Sequence, residues 1–132
     1  MDVDTLIRGV QDETLPVAKF YRRNGEYMTS ALNKLNGLWN DAREGLAGDE
    51  TLSGAAAARS VVRAREAASM IASARWIFAS ALERTESRGL HRRSDYPDLD
   101  PTQHQHVVTG GLDDVWVKRK PVSNSYLEAA AS

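Results

Sequence analysis

The sequence predicts a mainly α-helical fold: a three-helix bundle of the spectrin-repeat-like up-down-up kind, followed by a short extended or β-hairpin segment. Apolar residues recur at helical spacing in three stretches before residue 88. After Pro97 this spacing disappears, and valine-rich stretches flank Gly110 and Gly111. The 132 residues, 42% of them hydrophobic, can form one core of moderate size, so we expect a single domain over residues 1–132.

The composition excludes several classes of function. The chain has 17 basic and 18 acidic residues, a balance that does not favour nucleic acid or an anionic membrane as a partner. It has no cysteine, and therefore no disulfide, thiolate metal site or cysteine nucleophile. It also has no apolar run of about 20 residues and no basic, apolar leader at the N-terminus. These features predict a soluble cytoplasmic protein that neither binds nucleic acid nor inserts into a membrane.

The first two predicted helices cover residues 2–15 and 24–47. Asp2 or Asp4 can cap the first helix, and Pro16 marks its end. The second helix carries one apolar stripe, and the glycines and capping residues of "AGDETLSG" then predict a turn. The apolar positions are Val3, Leu6, Ile7 and Val10 in the first helix, and Tyr27, Met28, Ala31, Leu32, Leu35, Leu38, Trp39, Ala42 and Leu46 in the second.

The third predicted helix, residues 53–88, is the longest and would span about 50 Å. Its many alanines favour the helix and allow neighbouring helices to approach closely. We expect Trp39 and Trp76 to anchor the core. Arg59 and Arg63 are expected on a solvated face, whereas Glu66 fits either an exposed or a half-buried position equally well.

The last parts of the chain are predicted as an extended or hairpin segment, residues 89–121, and a tail, residues 122–132. Trp116 alternates with its valine neighbours, so its side chain is expected to face outward as a candidate interface residue. The basic run "VKRK" is expected to be a solvated edge that discourages strand pairing, with contact to phosphate or lipid headgroups as the alternative.

The stretch "TESRGLHRRSDYPDLD" joins the long helix to this segment. Gly89 is placed where a helix ends with a residue at positive φ, and the exposed carbonyls there suit Arg88, His91 or Arg93 as partners. Charges alternate in sign, and such groups can close a network of hydrogen bonds that pins the segment. Pro97 restricts Tyr96 to an extended conformation.

Two kinds of reactive site can be drawn from the residues of this region. His91, Asp95 and Asp98 can be drawn as an acid/base group, but the sequence supplies no nucleophile or cofactor motif beside them. His104 and His106 would share one face of a strand, where Asp100 or His91 could complete a metal site. Three histidines without further ligand spacing are weak evidence, so surface or hydrogen-bonded histidines are the expectation.

Residues 86–97 resemble the E-S-R-G-x-H-x-R-x-D-(Y/F)-P signature in the C-terminal helical domain of the succinate dehydrogenase/fumarate reductase flavoprotein family, which includes L-aspartate oxidase. The resemblance extends from about Thr5 to Val117, through the preceding helices. The last segment is shorter and more turn-like than the C-terminal extension of respiratory flavoproteins. The matching signature positions are Glu86, Ser87, Arg88, Gly89, His91, Arg93, Asp95, Tyr96 and Pro97.

In that family an FAD-binding domain and a capping domain precede the helical domain and hold the flavin and dicarboxylate sites. The resemblance therefore implies FAD for the parent enzyme, but no catalytic, cofactor-binding or metal-binding residue in this chain. It implies a structural and docking role, with the flavin-binding and capping domains as partners. A partner subunit and self-association in isolation are further candidates. The alternatives are an L-aspartate oxidase-like parent and a free-standing helical protein-interaction module that kept the fold.

Overall fold

A computed structural model describes residues 2–123 of the chain. It is mainly helical and ends in a two-stranded antiparallel hairpin, which confirms the predicted fold class. From residue 124 onward, the predicted tail lies outside the described residues. The elements are α1 (Val3–Thr14), α2 (Val17–Phe20), α3 (Gly25–Gly45), α4 (Gly54–Glu83), a 3-10 turn (Pro101–Gln103), β1 (Gln105–Gly110) and β2 (Trp116–Pro121).

The first two long helices begin at side-chain caps. Asp2 accepts hydrogen bonds from the backbone N–H groups of Asp4 and Thr5 at 3.2 and 3.1 Å, which confirms it as the cap of α1. Asn24 caps α3 in the same way. Between them the chain forms the one-turn helix α2, an element that was not predicted because four residues are too few to show a helical period.

The long helix α4 ends at Glu83, five residues before the predicted end at residue 88. Gly89 has the expected positive φ of 56°, but it lies in the loop after the helix and does not terminate it. Arg84 already has extended backbone angles. The carbonyls at this helix end accept hydrogen bonds from side chains of the following loop, so tertiary contacts cap the helix where a glycine was expected.

The core lies where α1 and α3 pack against α4. Alanines of α4 bring α3 close, and Phe20 of α2 makes an edge contact with Phe78 at 6.2 Å between ring centres. Glu66 is exposed, which settles the alternative that the sequence left open, and Arg59 and Arg63 lie on the solvated face as predicted. The core residues are Leu6, Val10, Met28, Ala31, Leu35, Ala42, Ile71, Ala74, Phe78 and Ala81.

The hairpin is held against α4 through its turn. Gly111 has a φ of 86°, a conformation that favours glycine. The Trp76 Nε1–H group donates to the Gly111 carbonyl at 2.7 Å, and the buried Arg75 guanidinium donates to the carbonyls of Leu112 and Asp113. The indole N–H groups of Trp39 and Trp76 thus point to the hairpin turn. Within residues 2–123, no helix is both long and apolar enough to cross a membrane.

Candidate functional site at the end of the long helix

The predicted signature residues lie in the loop between α4 and the 3-10 turn. The structure brings six of their side chains into one cluster, which joins the end of α4 to the start of α3 and to the 3-10 turn. Pro97 is exposed, and Trp116 lies apart from the cluster on the hairpin. The cluster consists of Glu86, Ser87, Arg88, His91, Arg93 and Asp95.

Glu86 is fully buried and is the anion of the cluster. Its carboxylate accepts hydrogen bonds from Arg88 Nε at 2.8 Å and Nη2 at 3.2 Å, from Arg84 Nη1 at 2.6 Å and from the Asp100 backbone N–H at 2.7 Å. The hydrogen bonds from Arg88 are the largest cause that lowers the pKa of Glu86 to about 2, against the opposing effect of burial. Glu86 is therefore ionised at neutral pH.

Arg93 and Asp95 form the second ion pair, which bridges two helix ends. The Arg93 guanidinium donates from Nε and Nη2 to the two Asp95 oxygens at 3.0 and 2.7 Å, and from Nη1 to the Leu82 carbonyl at 3.1 Å. Asp95 Oδ2 also accepts from the Gly25 N–H at 3.0 Å, and the Arg93 hydrogen bonds lower the pKa of Asp95. The pair caps the C-terminus of α4 and the N-terminus of α3 together.

Ser87 and the backbone fix the shape of the loop. The buried Ser87 Oγ accepts from the Arg93 N–H at 2.9 Å and donates to the Tyr96 carbonyl at 2.7 Å. Arg88 and His91 exchange two backbone hydrogen bonds at 2.8 and 2.9 Å around the tight turn that contains Gly89. The predicted charge network and the pinned loop are both present.

His91 uses both ring nitrogens inside the cluster. Nδ1 lies 2.8 Å from Arg23 Nη1, and Nε2 lies 3.0 Å from the Arg84 carbonyl oxygen. A neutral imidazole satisfies both contacts, since Nδ1 accepts from Arg23 while Nε2–H donates to the carbonyl. Burial is the main cause that lowers the pKa of His91, and the nearby arginines lower it further. The acid/base group drawn from the sequence is not assembled: Asp95 pairs with Arg93, and Asp98 is exposed.

Two residues that contact the loop of the cluster had no signal in the sequence. Arg23 pairs its backbone with the loop, donating to the Arg92 carbonyl and accepting from the Ser94 N–H at 3.1 and 2.9 Å. Gln103 is buried and donates from Nε2 to Asp100 Oδ2 at 2.9 Å. Arg23 meets residues about 70 positions away, and no local pattern predicts a contact of that separation.

The remaining candidates lie on the hairpin side of the molecule. His104 and His106 are exposed. In residues 2–123, no group of three or more His, Cys, Asp or Glu side chains is arranged to hold a metal ion. Trp116 is 43% exposed, and Lys118 Nζ lies 5.0 Å from its ring centre, which confirms that this side chain faces outward.

Comparison with known proteins gives a consistent set of relatives. The family model described as "Fumarate reductase flavoprotein C-term" matches residues 17–131. L-Aspartate oxidases of Mycobacterium bovis and Mycobacterium tuberculosis are 50% identical over 38 residues, which are 29% of this chain and 7% of theirs.

Two solved structures share the fold. A variant of E. coli quinol fumarate reductase FrdA has a TM-score of 0.76 and 17% identity, over 92% of this chain and 21% of that one. Mycobacterium smegmatis Sdh1 in complex with UQ1 has a TM-score of 0.70 and 20% identity, over 93% and 21%. The chain thus spans about a fifth of the length of these structures.

Proposed function

Since this chain belongs to the fumarate reductase flavoprotein C-terminal family, we propose that it is the helical scaffold domain of an FAD-dependent oxidoreductase and docks on the flavin-binding and capping domains. The observation that carries the proposal is that every side chain of the signature cluster makes hydrogen bonds within the chain. A catalytic acid or base must reach the reacting atoms of a substrate. The signature side chains are instead occupied with joining helix ends.

The bonding of the cluster supports a scaffold role residue by residue. Both oxygens of Glu86 accept hydrogen bonds from within the chain. Both nitrogens of His91 have partners, and all three nitrogens of the Arg93 guanidinium donate to the chain. A loop fixed this firmly can present a rigid surface to a neighbouring domain.

Gly110 and Gly111 do not form the kind of loop that holds FAD in dinucleotide-binding folds. Flavin dinucleotides are held by a glycine-rich loop that runs from a strand into a helix, where the pyrophosphate meets the helix N-terminus. Gly110 and Gly111 instead lie at the end of β1 and in the turn between two antiparallel strands. We therefore assign FAD and the dicarboxylate site to the other domains of the parent enzyme.

Exposed apolar side chains on the loop and the hairpin support docking at this end of the molecule. Leu90 is 80% exposed at the turn of the loop, and Leu99 and Trp116 are also exposed. Apolar and aromatic side chains presented by a rigid element are typical of the core of a protein interface.

Size-exclusion chromatography monitored at the flavin absorbance tests the proposal. The chain alone should elute colourless, and with the flavin-binding and capping domains of its parent it should form a coloured complex. Leu90→Asp should weaken the complex at least about tenfold, whereas Leu15→Asp, which alters another exposed leucine on a different element, should not.

Two outcomes would contradict the proposal. Flavin that copurifies with the isolated chain would show that the chain has a cofactor site of its own. No association with the flavin domains would favour the free-standing interaction module.

The 50% identity over 38 residues favours an L-aspartate oxidase-like parent. The reconstituted enzyme should then oxidise L-aspartate. Succinate oxidation or fumarate reduction without L-aspartate oxidation would instead identify a respiratory type of parent.

A further inference from the structure

A small pocket opens beside the signature cluster, between α4, β1 and the segment before α3. Its volume is about 240 Å³. Arg23, Arg84 and His91 form its polar wall together with Ser80, and Ile77, Ala81 and Val107 form its apolar wall. A pocket of this size accommodates a small organic group, since sites for drug-sized ligands start at about 300 Å³.

One of the two arginines of this pocket has no counter-ion among the described residues, whereas Arg84 pairs with Glu86 at 2.6 Å. Arg23 donates to the Phe20 carbonyl at 3.0 Å and to His91 at 2.8 Å, and both partners are uncharged. Within residues 2–123 no carboxylate lies within ion-pair distance of Arg23, nor of the neighbouring Arg22 and Arg92. A half-buried guanidinium without a counter-ion favours the binding of an anion.

Donor groups remain free on the two arginines of the pocket wall. Arg23 Nη2 and Arg84 Nε make no hydrogen bond within the described residues, whereas the other nitrogens of both guanidinium groups do. No buried side-chain nitrogen or oxygen in residues 2–123 lacks a partner. These two N–H groups are therefore not fully buried and keep some contact with solvent.

We infer that Arg23 and Arg84 form a binding site for a carboxylate group in this pocket. Arg23 Nη2 and Arg84 Nε each offer one charged N–H donor to a carboxylate oxygen, and the apolar wall suits the methylene groups attached to it. The carboxylate comes either from a free organic acid or from an acidic side chain of a partner. The site follows from the geometry of this chain alone and goes beyond the proposed docking function.

NMR titration of the whole chain tests the site directly. The probes are succinate for a free acid and N-acetylglutamate amide for a side chain, with sodium chloride at matched ionic strength as the blank. Both carboxylates should shift the Arg23 and Arg84 Nε–H signals and the His91 ring signals in a saturable way, with half-saturation below about 10 mM. Tighter binding of succinate identifies a free acid, and equal or tighter binding of the glutamate derivative identifies a side chain.

Paired variants distinguish binding in the pocket from nonspecific attraction of the anionic probes to positive charge. Arg23→Gln should weaken probe binding at least about tenfold, whereas Arg92→Gln removes the same charge nearby and should change it less than about twofold. Ser80→Glu places a carboxylate on the pocket wall and should abolish probe binding while Arg23 stays intact. This second variant keeps the test valid if Arg23→Gln unfolds. Shifts that stay linear up to about 50 mM, or binding that survives Ser80→Glu, would overturn the site.

Discussion

Replacing Glu86 with glutamine removes the buried charge on which the signature cluster depends. Glutamine keeps the shape of the side chain, but its NH₂ group would face donors in place of an acceptor oxygen. Arg84 and Arg88 would lose their carboxylate partner, and Arg84 is mostly buried. Breaking a buried ion pair destabilises by about 3–5 kcal/mol. Because the Arg88 side chain is 30% exposed and can be rehydrated, we expect about 2–4 kcal/mol.

The lowered pKa of Glu86 gives a similar value for the loss of stability. A lowering from 4.5 to about 2 corresponds to about 3 kcal/mol of stability from the ionised form. A lowered folded-state pKa stabilises the fold above pH 4.5, and this contribution is lost as the pH falls toward 2. The difference in the free energy of unfolding between wild type and Glu86→Gln should therefore shrink as the pH falls from 4.5 toward 2.

Urea unfolding followed by far-UV circular dichroism measures the effect. Glu66→Gln is the matched control, since Glu66 is exposed on α4, and it should change the free energy of unfolding by less than about 0.5 kcal/mol. A loss below about 0.5 kcal/mol for Glu86→Gln, or a difference that does not depend on pH, would refute the assignment of Glu86 as the central anion of the loop.

Four further predictions concern residues of α3, of the loop after α4 and of α4 itself. All four use the same unfolding measurement. Gly25→Ala should destabilise by about 1–3 kcal/mol because its Cβ would lie 2.7 Å from Asp95 Oδ2. Gly37→Ala meets no atom within 4 Å and should stabilise α3 by about 0.5–1 kcal/mol; a loss equal to that of Gly25→Ala would contradict the packing argument. Asp95→Ala should destabilise by about 1–3 kcal/mol through the lost helix cap and ion pair, and no change would indicate an external contact instead. Arg75→Ala should lower stability by about 2–4 kcal/mol and speed amide exchange in the hairpin, whereas the exposed Arg65→Ala should leave both unchanged.

Much of the helical architecture follows from local chemistry and could be predicted. The apolar period identifies α1, α3 and α4, and Asp2 marks the start of α1. The two glycines between valine-rich stretches identify the hairpin. These features depend on residues within a turn or two of each other, so sequence spacing alone carries them.

The end of α4 shows where local reasoning fails. Helix propensity continues past Glu83, and Gly89 resembles a terminator, so the helix was expected to reach residue 88. It ends earlier because Arg93 and His91 bond to carbonyls of its last residues. Those bonds form only when the loop folds back onto the end of the helix, and helical periodicity does not predict such a return.

The sequence by itself determined the mainly helical fold, the hairpin and the family, because each depends on local spacing or on a contiguous motif. Only the tertiary structure decided what the motif does. It buried Glu86, turned His91 into a neutral bridge, and placed Arg23 beside it without a counter-ion. The physical reason is that the charge state and bonding of a side chain depend on burial and on partners up to about 70 residues away, and folding alone brings these together.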